Sequence, residues 1–403
     1  MLLKHSFKMK KYLVIGSGLQ GKAIAYYHLM SKDTGKVSVV DYDESKAKDL
    51  AAWLNNERVD WFKADASDVK YMVKVMKNYD AVNSAVDYEF NLGLTKAAIK
   101  ARVNFCDLGG NDNVVHEQFM LHKDAKKSKV KVMPALGIAP GAVSVIAMLC
   151  RDKLNEIQGN IENRLGVKGY PDYVKIRVGG LPCSPKNFLK YSIVFSVHGL
   201  INEYIEPVEI LRDGRKEIVE PLTAVEDVLF NDFNDAELAV LSAAYTSGGL
   251  GTLAKSLENK VGDVDYKTLR YNKEHWQFFN YLKDTGFFEN STREFTEKQL
   301  EKFLGKTDED LLVAKVTADR KFKNDIVEVC YEMLVYYDDK LSAMQKSTGF
   351  PAAIIAQMMA NNEIKGYGVL RLELSTPPKL FAKRLNDSGL KLKERRKARK
   401  RNI

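Results

Sequence analysis

Gly16-Ser17-Gly18-Leu19-Gln20-Gly21 has the spacing GxGxxG and stands between an apolar run, KYLVI, and a stretch with helical periodicity. Each glycine has its own physical task in such a turn. The first permits a tight reversal, the second lets a pyrophosphate reach the backbone, and the third lets helix and strand pack closely. The helix start offers unpaired N–H groups and a positive dipole end to phosphate oxygens. Asp41 follows twenty residues beyond Gly21, in VVDYD. Its carboxylate is expected to accept from the adenosine ribose and, with Asp43, to repel a 2′-phosphate. No arginine comes before Arg58, although Lys46 and Lys48 are near. The pattern predicts NAD as the cofactor, with NADP less favoured, held by Gly16, Gly18, Leu19, Gln20, Gly21 and Asp41. For the glycines alone, a plain strand–helix corner is the alternative.

The elements that must position these residues are legible up to about residue 137. Short β-rich runs occur at 11–16, 37–43, 59–65, 80–86, 103–110 and 129–137, with amphipathic helical stretches between them. That alternation has the spacing of right-handed βαβ crossovers and predicts an α/β Rossmann domain, a doubly wound parallel sheet. Ligands of such sheets lie at the carboxyl ends of the strands. This adds Asp65 after the third strand, Ala85 and Val86 after the fourth, and Asp107, Leu108 and Gly109 after the fifth. Asp65 and Asp107 also have a simpler role available, as caps of the turns that follow them.

Beyond residue 137 the pattern changes. The runs 174–182, 207–222 (with an Asp213-Gly214 turn), 265–271 and 311–337 read as antiparallel strands. SVHGLINEYI, ELAVLSAAY, EHWQFFNYLKD and TEKQLEKFLG read as helices. A second, mixed α+β domain is therefore expected over 138–344. The small-residue helix in STGFPAAIIAQMMANNEI returns the chain to the first domain, so that 345–385 completes residues 9–137.

Hydrophobic residues make up 45% of the 403 and charged residues 29%, which is ordinary for a soluble globular chain. Cys106, Cys150, Cys183 and Cys330 have neither paired nor metal-type spacing and read as reduced thiols, with no metal site. The net charge of +9 is concentrated: KLKERRKARKRNI, residues 391–403, holds eight Lys/Arg and one Glu. This stretch is expected to be a disordered basic tail, with nucleic acid or an anionic surface as its only route to a partner of that kind. The 19 uncharged residues at 132–150 contain Pro134, Gly137, Pro140 and Gly141. They read as strand, turn and helix start, with no membrane span. A cytoplasmic protein is expected, with Met9 as an alternative start to Met1.

The ordered set GSGLQG, NSAVDYEFNLGLTKAAIKARVNFCDLGG, PALGIAPG, GGLP, HGLINEY, AVEDVLF, TSGG and DYKTLRY resembles the saccharopine dehydrogenase-like oxidoreductases. Within that group the chain is most similar to the lysine 6-dehydrogenases, over about residues 10–380. The resemblance implies a dinucleotide domain, a mixed substrate and dimerisation domain, a homodimer, and reversible oxidation of an amino-acid C–N bond. Ala135 stands where the family often has an acid, VNSAVDY is more polar than usual, and the basic tail is additional.

Amine oxidation by hydride transfer needs the nitrogen lone pair, so the ammonium must first lose a proton. Asp107, His198 and His275 are the candidates for handling it, with Glu226 a more distant one. Each also has a structural alternative as a cap, a packing residue or an ion-pair member. Arg270 in KTLRY is the candidate carboxylate anchor, because a guanidinium fork reads a carboxylate through two bonds. Tyr271 and Glu226 complete the expected substrate contacts. Oxidation of the ε-C–N bond of L-lysine is the leading expectation. Saccharopine oxidation is the nearest rival, and a non-catalytic dinucleotide sensor with a nucleic-acid-binding tail is the rival of another class.

Overall fold

The computed structural model describes residues 9–230, 236–322 and 325–400. The chain folds as two units. The first takes in the described residues up to Ala142 together with Gln345–Ser388; the second takes in Val143–Met344 and the described residues from Gly389 on.

The first unit is built on β1 (Lys10–Ile15), β2 (Thr34–Asp41), β3 (Val59–Lys63), β4 (Ala81–Ser84), β5 (Asn104–Asp107) and β6 (Lys131–Met133). With the short strand Gly368–Val369 they form a seven-stranded sheet in which β1 lies between β4 and β2, and β5, β6 and Gly368–Val369 continue past β4. Every pairing is parallel. Such strands are covered on both faces, which is why Leu13, Ile15, Val40, Val82, Phe105 and Val132 are all buried in one core with Met72, Leu94 and Ala98. The chain runs from β1 outward to β3, then returns to β4 on the other side of β1. The carboxyl ends of β1 and β4 thus flank the point where the strand order reverses, where such folds take ligands. The helix Ala343–Ala360 adds to this unit from Gln345 on. Gly349 lets it sit against the helix Leu19–Met30, because a Cβ there would lie 2.7 Å from Ala23 Cβ, and Asn83 Nδ2 donates to the Ala352 carbonyl at 3.1 Å.

The second unit carries β7 (Tyr173–Pro182), β8 (Val208–Arg212), β9 (Arg215–Val219), β10 (Glu226–Leu229), β11 (Val240–Tyr245), β12 (Asp263–Arg270), β13 (Asp310–Phe322) and β14 (Asp325–Tyr336). The main path runs β10, β11, β12, β7, β13, β14 and then Leu392–Lys400, while the β8–β9 hairpin joins through β12. The sheet is mixed, since β12 and β7 run parallel. Asp213 and Gly214 turn the hairpin with φ of 47° and 78°, a left-handed pair that suits the twist of two antiparallel strands.

Two expectations from sequence are corrected here. ELAVLSAAY is not a helix: Val240–Tyr245 is a strand between β10 and β12. A short apolar run rich in small residues carries no decisive period, and pairing on both sides decides its state. The basic segment is not a disordered tail in its described part, for Leu392–Lys400 pairs antiparallel with β14 along its length. Opposite charges hold it there. Arg395 Nε meets the buried Glu332 at 2.9 Å, Tyr331 donates to Glu394 at 2.7 Å, and the register sets Lys397 against Glu328. Deleting residues 391–403 would strip an edge from β14 and remove one partner of a buried carboxylate. A fall in Tm of about 5 °C or more is expected in a thermal melt, from a loss of several kcal/mol. An unchanged Tm would contradict this role.

The uncharged segment 132–150 divides into the end of β6, an irregular turn and the buried start of the helix Val143–Gln158. No helix among the described residues is long and apolar enough to cross a membrane.

Candidate functional site

At the carboxyl end of β1 the glycine turn is sterically specified. Gly16 has φ of 98°, and a Cβ there would lie 2.6 Å from the Ala85 carbonyl oxygen and 3.0 Å from a Val86 methyl. Ala85 and Val86 therefore wall the turn, and Ala85 N–H donates to Ile15 O at 2.7 Å. A Cβ on Gly21 would fall on the Gly16 carbonyl. Gly18, in contrast, has nothing within 4 Å of its Cβ position. The helix Leu19–Met30 starts directly after it with no side-chain cap and no acid in its first turn. Its leading N–H groups are thus left to an outside anion. Ser17 Oγ is buried there without a hydrogen-bond partner among the described residues, a hydroxyl able to donate to a phosphate oxygen. The turn fits a dinucleotide pyrophosphate.

Asp41 ends β2 beside this turn. One carboxylate oxygen accepts from Ser17 N–H at 2.8 Å and the other from Asp43 N–H at 3.0 Å. Asp41 and the glycine turn are thus tied together. Asp65 is exposed and caps the turn after β3, accepting from the Ser67 N–H and hydroxyl at 2.8 and 2.7 Å. Those bonds to Ser67 hold its carboxyl below the usual range. Gly109, just after Leu108, has φ of 70° and passes so close to Ala135 that a Cβ would sit 2.8 Å from that residue's Cα.

Asp107 does not have the form of an accessible base. It is 1% exposed and accepts from Gln118 Nε2 at 2.6 Å, Gly109 N–H at 2.9 Å and Ala135 N–H at 3.1 Å. Burial pushes its pKa up while these three bonds pull it down. The carboxylate fastens the loops after β5 and β6 to each other.

In the second unit the expected proton handlers are likewise engaged elsewhere. His198 is a surface residue that pairs with Glu297 at 3.0 Å. His275 is completely buried, and its Nε2 bonds the Tyr204 hydroxyl at 2.8 Å. Burial, with the Arg270 charge, holds its pKa well below the usual range, so it stays neutral. Glu226 forms an ion pair with Arg177 at 2.5 Å and with Lys267 at 3.4 Å. Tyr271 donates to the Pro182 carbonyl at 2.9 Å. His275, Glu226 and Tyr271 are tied into the domain, and His198 lies on its surface with Nδ1 paired to Glu297.

Arg270 is different. It is 2% exposed, its Nε donates to Tyr204 Oη at 3.0 Å and its Nη1 to the Leu269 carbonyl at 2.8 Å. The guanidinium lies 4.5 Å from the Tyr191 ring centroid. Nη2 has no hydrogen-bond acceptor among the described residues. The Tyr191 hydroxyl is buried without a partner. Glu203, on the helix Val197–Ile205, joins this group: its charge acts on Tyr191, Tyr204, Tyr266 and Arg270. Burial raises its carboxyl pKa to about 7, with Arg270 opposing and Glu206 adding to the rise. In the sequence Glu203 stands inside HGLINEY with nothing local to distinguish it from the other acids.

Comparison with known proteins now bears on these features. Residues 12–133 match the saccharopine dehydrogenase NADP binding domain, and residues 137–390 match the saccharopine dehydrogenase C-terminal domain. The chain belongs to the saccharopine dehydrogenase family. Its first unit thus carries the family's nicotinamide dinucleotide domain. Among its relatives is the saccharopine dehydrogenase [NADP(+), L-glutamate-forming] of Saccharomyces cerevisiae, 23% identical over 330 residues, which are 78% of this chain and 69% of that protein. The mitochondrial alpha-aminoadipic semialdehyde synthase of Bos taurus is 26% identical over 209 residues, 51% of this chain. That match spans only 21% of the bovine protein's length. The solved apo saccharopine dehydrogenase (L-Glu forming) of S. cerevisiae superposes with a TM-score of 0.77 at 19% identity, covering 96% of this chain and 100% of that one. The two-unit fold is thus that of the family. The family's C-terminal domain ends at residue 390, so the strand Leu392–Lys400 lies outside it.

Proposed function

We propose that this chain is an NAD-dependent dehydrogenase that oxidises the ε-C–N bond of L-lysine. The observation that carries the substrate is how the buried cations of β7, β12 and β13 are committed. Arg177 is held by Glu226 and Asp265 and Lys267 by Glu226 and the Ala224 carbonyl. Arg320 is held by the Tyr170 and Gly159 carbonyls and Asn155. Of the three buried guanidiniums Arg270 alone keeps a nitrogen, Nη2, without a protein acceptor among the described residues. One guanidinium suits a substrate with one carboxylate; saccharopine carries three.

A bound oxidised nicotinamide supplies the hydride acceptor. The protein's share is to cradle the pyrophosphate at Ser17–Gly21, hold the substrate carboxylate at Arg270, and bring the amine to its neutral form. A lysine ammonium has a pKa near ~10.4, so the last task needs a base or strong desolvation. Saccharopine oxidation is the second reading, favoured by the name of the yeast relative that covers 78% of this chain. Steady-state assays with L-lysine and saccharopine in parallel, each with NAD and NADP, test both. Turnover of lysine with release of ammonia is the expected result. Turnover of saccharopine with none of lysine overturns it.

The preference for NAD rests on Asp41 and Asp43, whose charges would face a 2′-phosphate, although the family's domain is described by NADP. Asp41→Ala removes the ribose acceptor and frees the Ser17 N–H. Loss of a charged hydrogen bond is worth about 1.5–3 kcal/mol, so NAD binding is expected to weaken by roughly tenfold or more and the NAD/NADP ratio to narrow. Unchanged kinetics with both cofactors would remove Asp41 from cofactor recognition.

A further inference from the structure

We infer that Glu203 is the group that receives the substrate amine and takes its proton, an inference that rests on the amine-oxidising reading above. The helix Val197–Ile205 buries Val197, Leu200, Ile201 and Tyr204 and leaves Glu203 half-buried. The loop Thr246–Gly249 closes on its carboxyl end. Ser247 N–H donates to the Glu203 carbonyl at 2.9 Å, and Ser247 Oγ donates to the Asn202 carbonyl and to Glu206, each at 3.3 Å. Gly249 is packed so closely on Tyr266 that a Cβ would overlap its ring. The backbone around Glu203 is thus fixed, yet its carboxylate has no hydrogen bond or ion pair among the described residues.

Half-buried and without a protein partner among the described residues, this carboxylate is open to a ligand. Tyr204, the next residue of the helix, accepts from Arg270 Nε at 3.0 Å, which brings a guanidinium into the same part of the unit. Arg270 presents Nη2 to a carboxylate, and Glu203 presents an acceptor to an ammonium. The guanidinium is held in place by the chain from Arg270 Nε to Tyr204 Oη to His275 Nε2. Tyr191 adds a buried hydroxyl without a partner among the described residues.

The step is a proton transfer with no change of oxidation state. An N–H bond of the ammonium breaks, an O–H bond forms on Glu203, and the nitrogen keeps the electron pair as its lone pair. The charged groups that face Glu203 are Arg270 on β12 and Glu206 at the end of its own helix. The titratable hydroxyls are Tyr191, Tyr204 and Tyr266. With burial raising its pKa to about 7, Glu203 is protonated below that pH and an acceptor above it.

The test is a pH profile of kcat/KM for the wild type, Glu203→Gln and Glu203→Asp, with cofactor affinity and thermal melts on each. For the wild type a limb rising with pH through about 7 is expected. Glu203→Gln should lower kcat/KM by about 100-fold or more and abolish the limb, with cofactor affinity unchanged. Glu203→Asp should keep the limb at reduced rate. A Glu203→Gln enzyme that retains the limb overturns the proposal, whether its rate is normal or lowered together with Tm. If the wild type neither binds L-lysine and saccharopine by calorimetry nor oxidises them, the functional reading falls first and this inference with it. Wild-type turnover with an indifferent Glu203→Gln refutes the inference alone.

Discussion

Gly21→Ala is expected to abolish dinucleotide binding and to lower the Tm, whereas Gly18→Ala should weaken binding with the Tm unchanged. At Gly21 the added Cβ would fall on the Gly16 carbonyl and lie 3.6 Å from a Val14 methyl. The obstacle is backbone, so no rotamer change relieves it; β1 and the helix Leu19–Met30 must separate. Overpacking of this kind costs about 1–3 kcal/mol, and the separation also misaims the first-turn N–H groups. At Gly18 nothing lies within 4 Å of a Cβ, so the fold accepts alanine without strain. The methyl there occupies only the space in front of the helix start. If that space receives the pyrophosphate, affinity falls roughly tenfold, about 1.4 kcal/mol. Calorimetric titration with NAD and NADP, together with thermal melts, separates the two variants. Normal cofactor affinity in Gly18→Ala would place the phosphates elsewhere.

That contrast also explains how much could be read without coordinates. The strand–glycine–helix unit is local: its turn, its packing glycine and its ribose acid lie within 26 residues, Gly16 to Asp41. Each is specified by sterics that act between near neighbours, and the strand runs up to β6 follow the same local logic. The failures share a different cause. Asp107 owes its locked state to Gln118 and Ala135, and His275 owes its neutrality to burial and the Arg270 charge. Neither set of partners is visible at the residue itself. Val240–Tyr245 is a strand because β10 and β12 pair with it. Leu392–Lys400 is ordered because β14 supplies Glu332 and Glu328 opposite it. Glu203 was one acid among several on an amphipathic helix. Its distinction comes from residues around 191, 247 and 270 that the fold gathers around it.

Arg270→Ala is expected to raise KM for the amino-acid substrate, lower the Tm, and shift the pH limb assigned to Glu203. All three follow from one buried guanidinium. A charge-assisted contact to a carboxylate left buried without it is worth about 2–5 kcal/mol, so kcat/KM should fall roughly 30- to 3,000-fold. The Tm falls because Tyr204 Oη loses its donor at 3.0 Å, the Leu269 carbonyl loses its own at 2.8 Å, and the Tyr191 ring loses its cation. The limb shifts because Arg270 opposes the rise that burial imposes on Glu203. With the guanidinium gone, the carboxyl pKa must climb further, and the limb moves to higher pH. Arg270→Lys should recover part of the limb position, since it restores a cation, and less of the KM, since an ammonium lacks the planar fork. A guanidinium that only braced the fold would lower the Tm and leave KM for the true substrate unchanged. A limb that stayed in place in Arg270→Ala would separate Glu203 from Arg270, because removal of a neighbouring positive charge cannot leave the titration of a half-buried carboxylate unmoved.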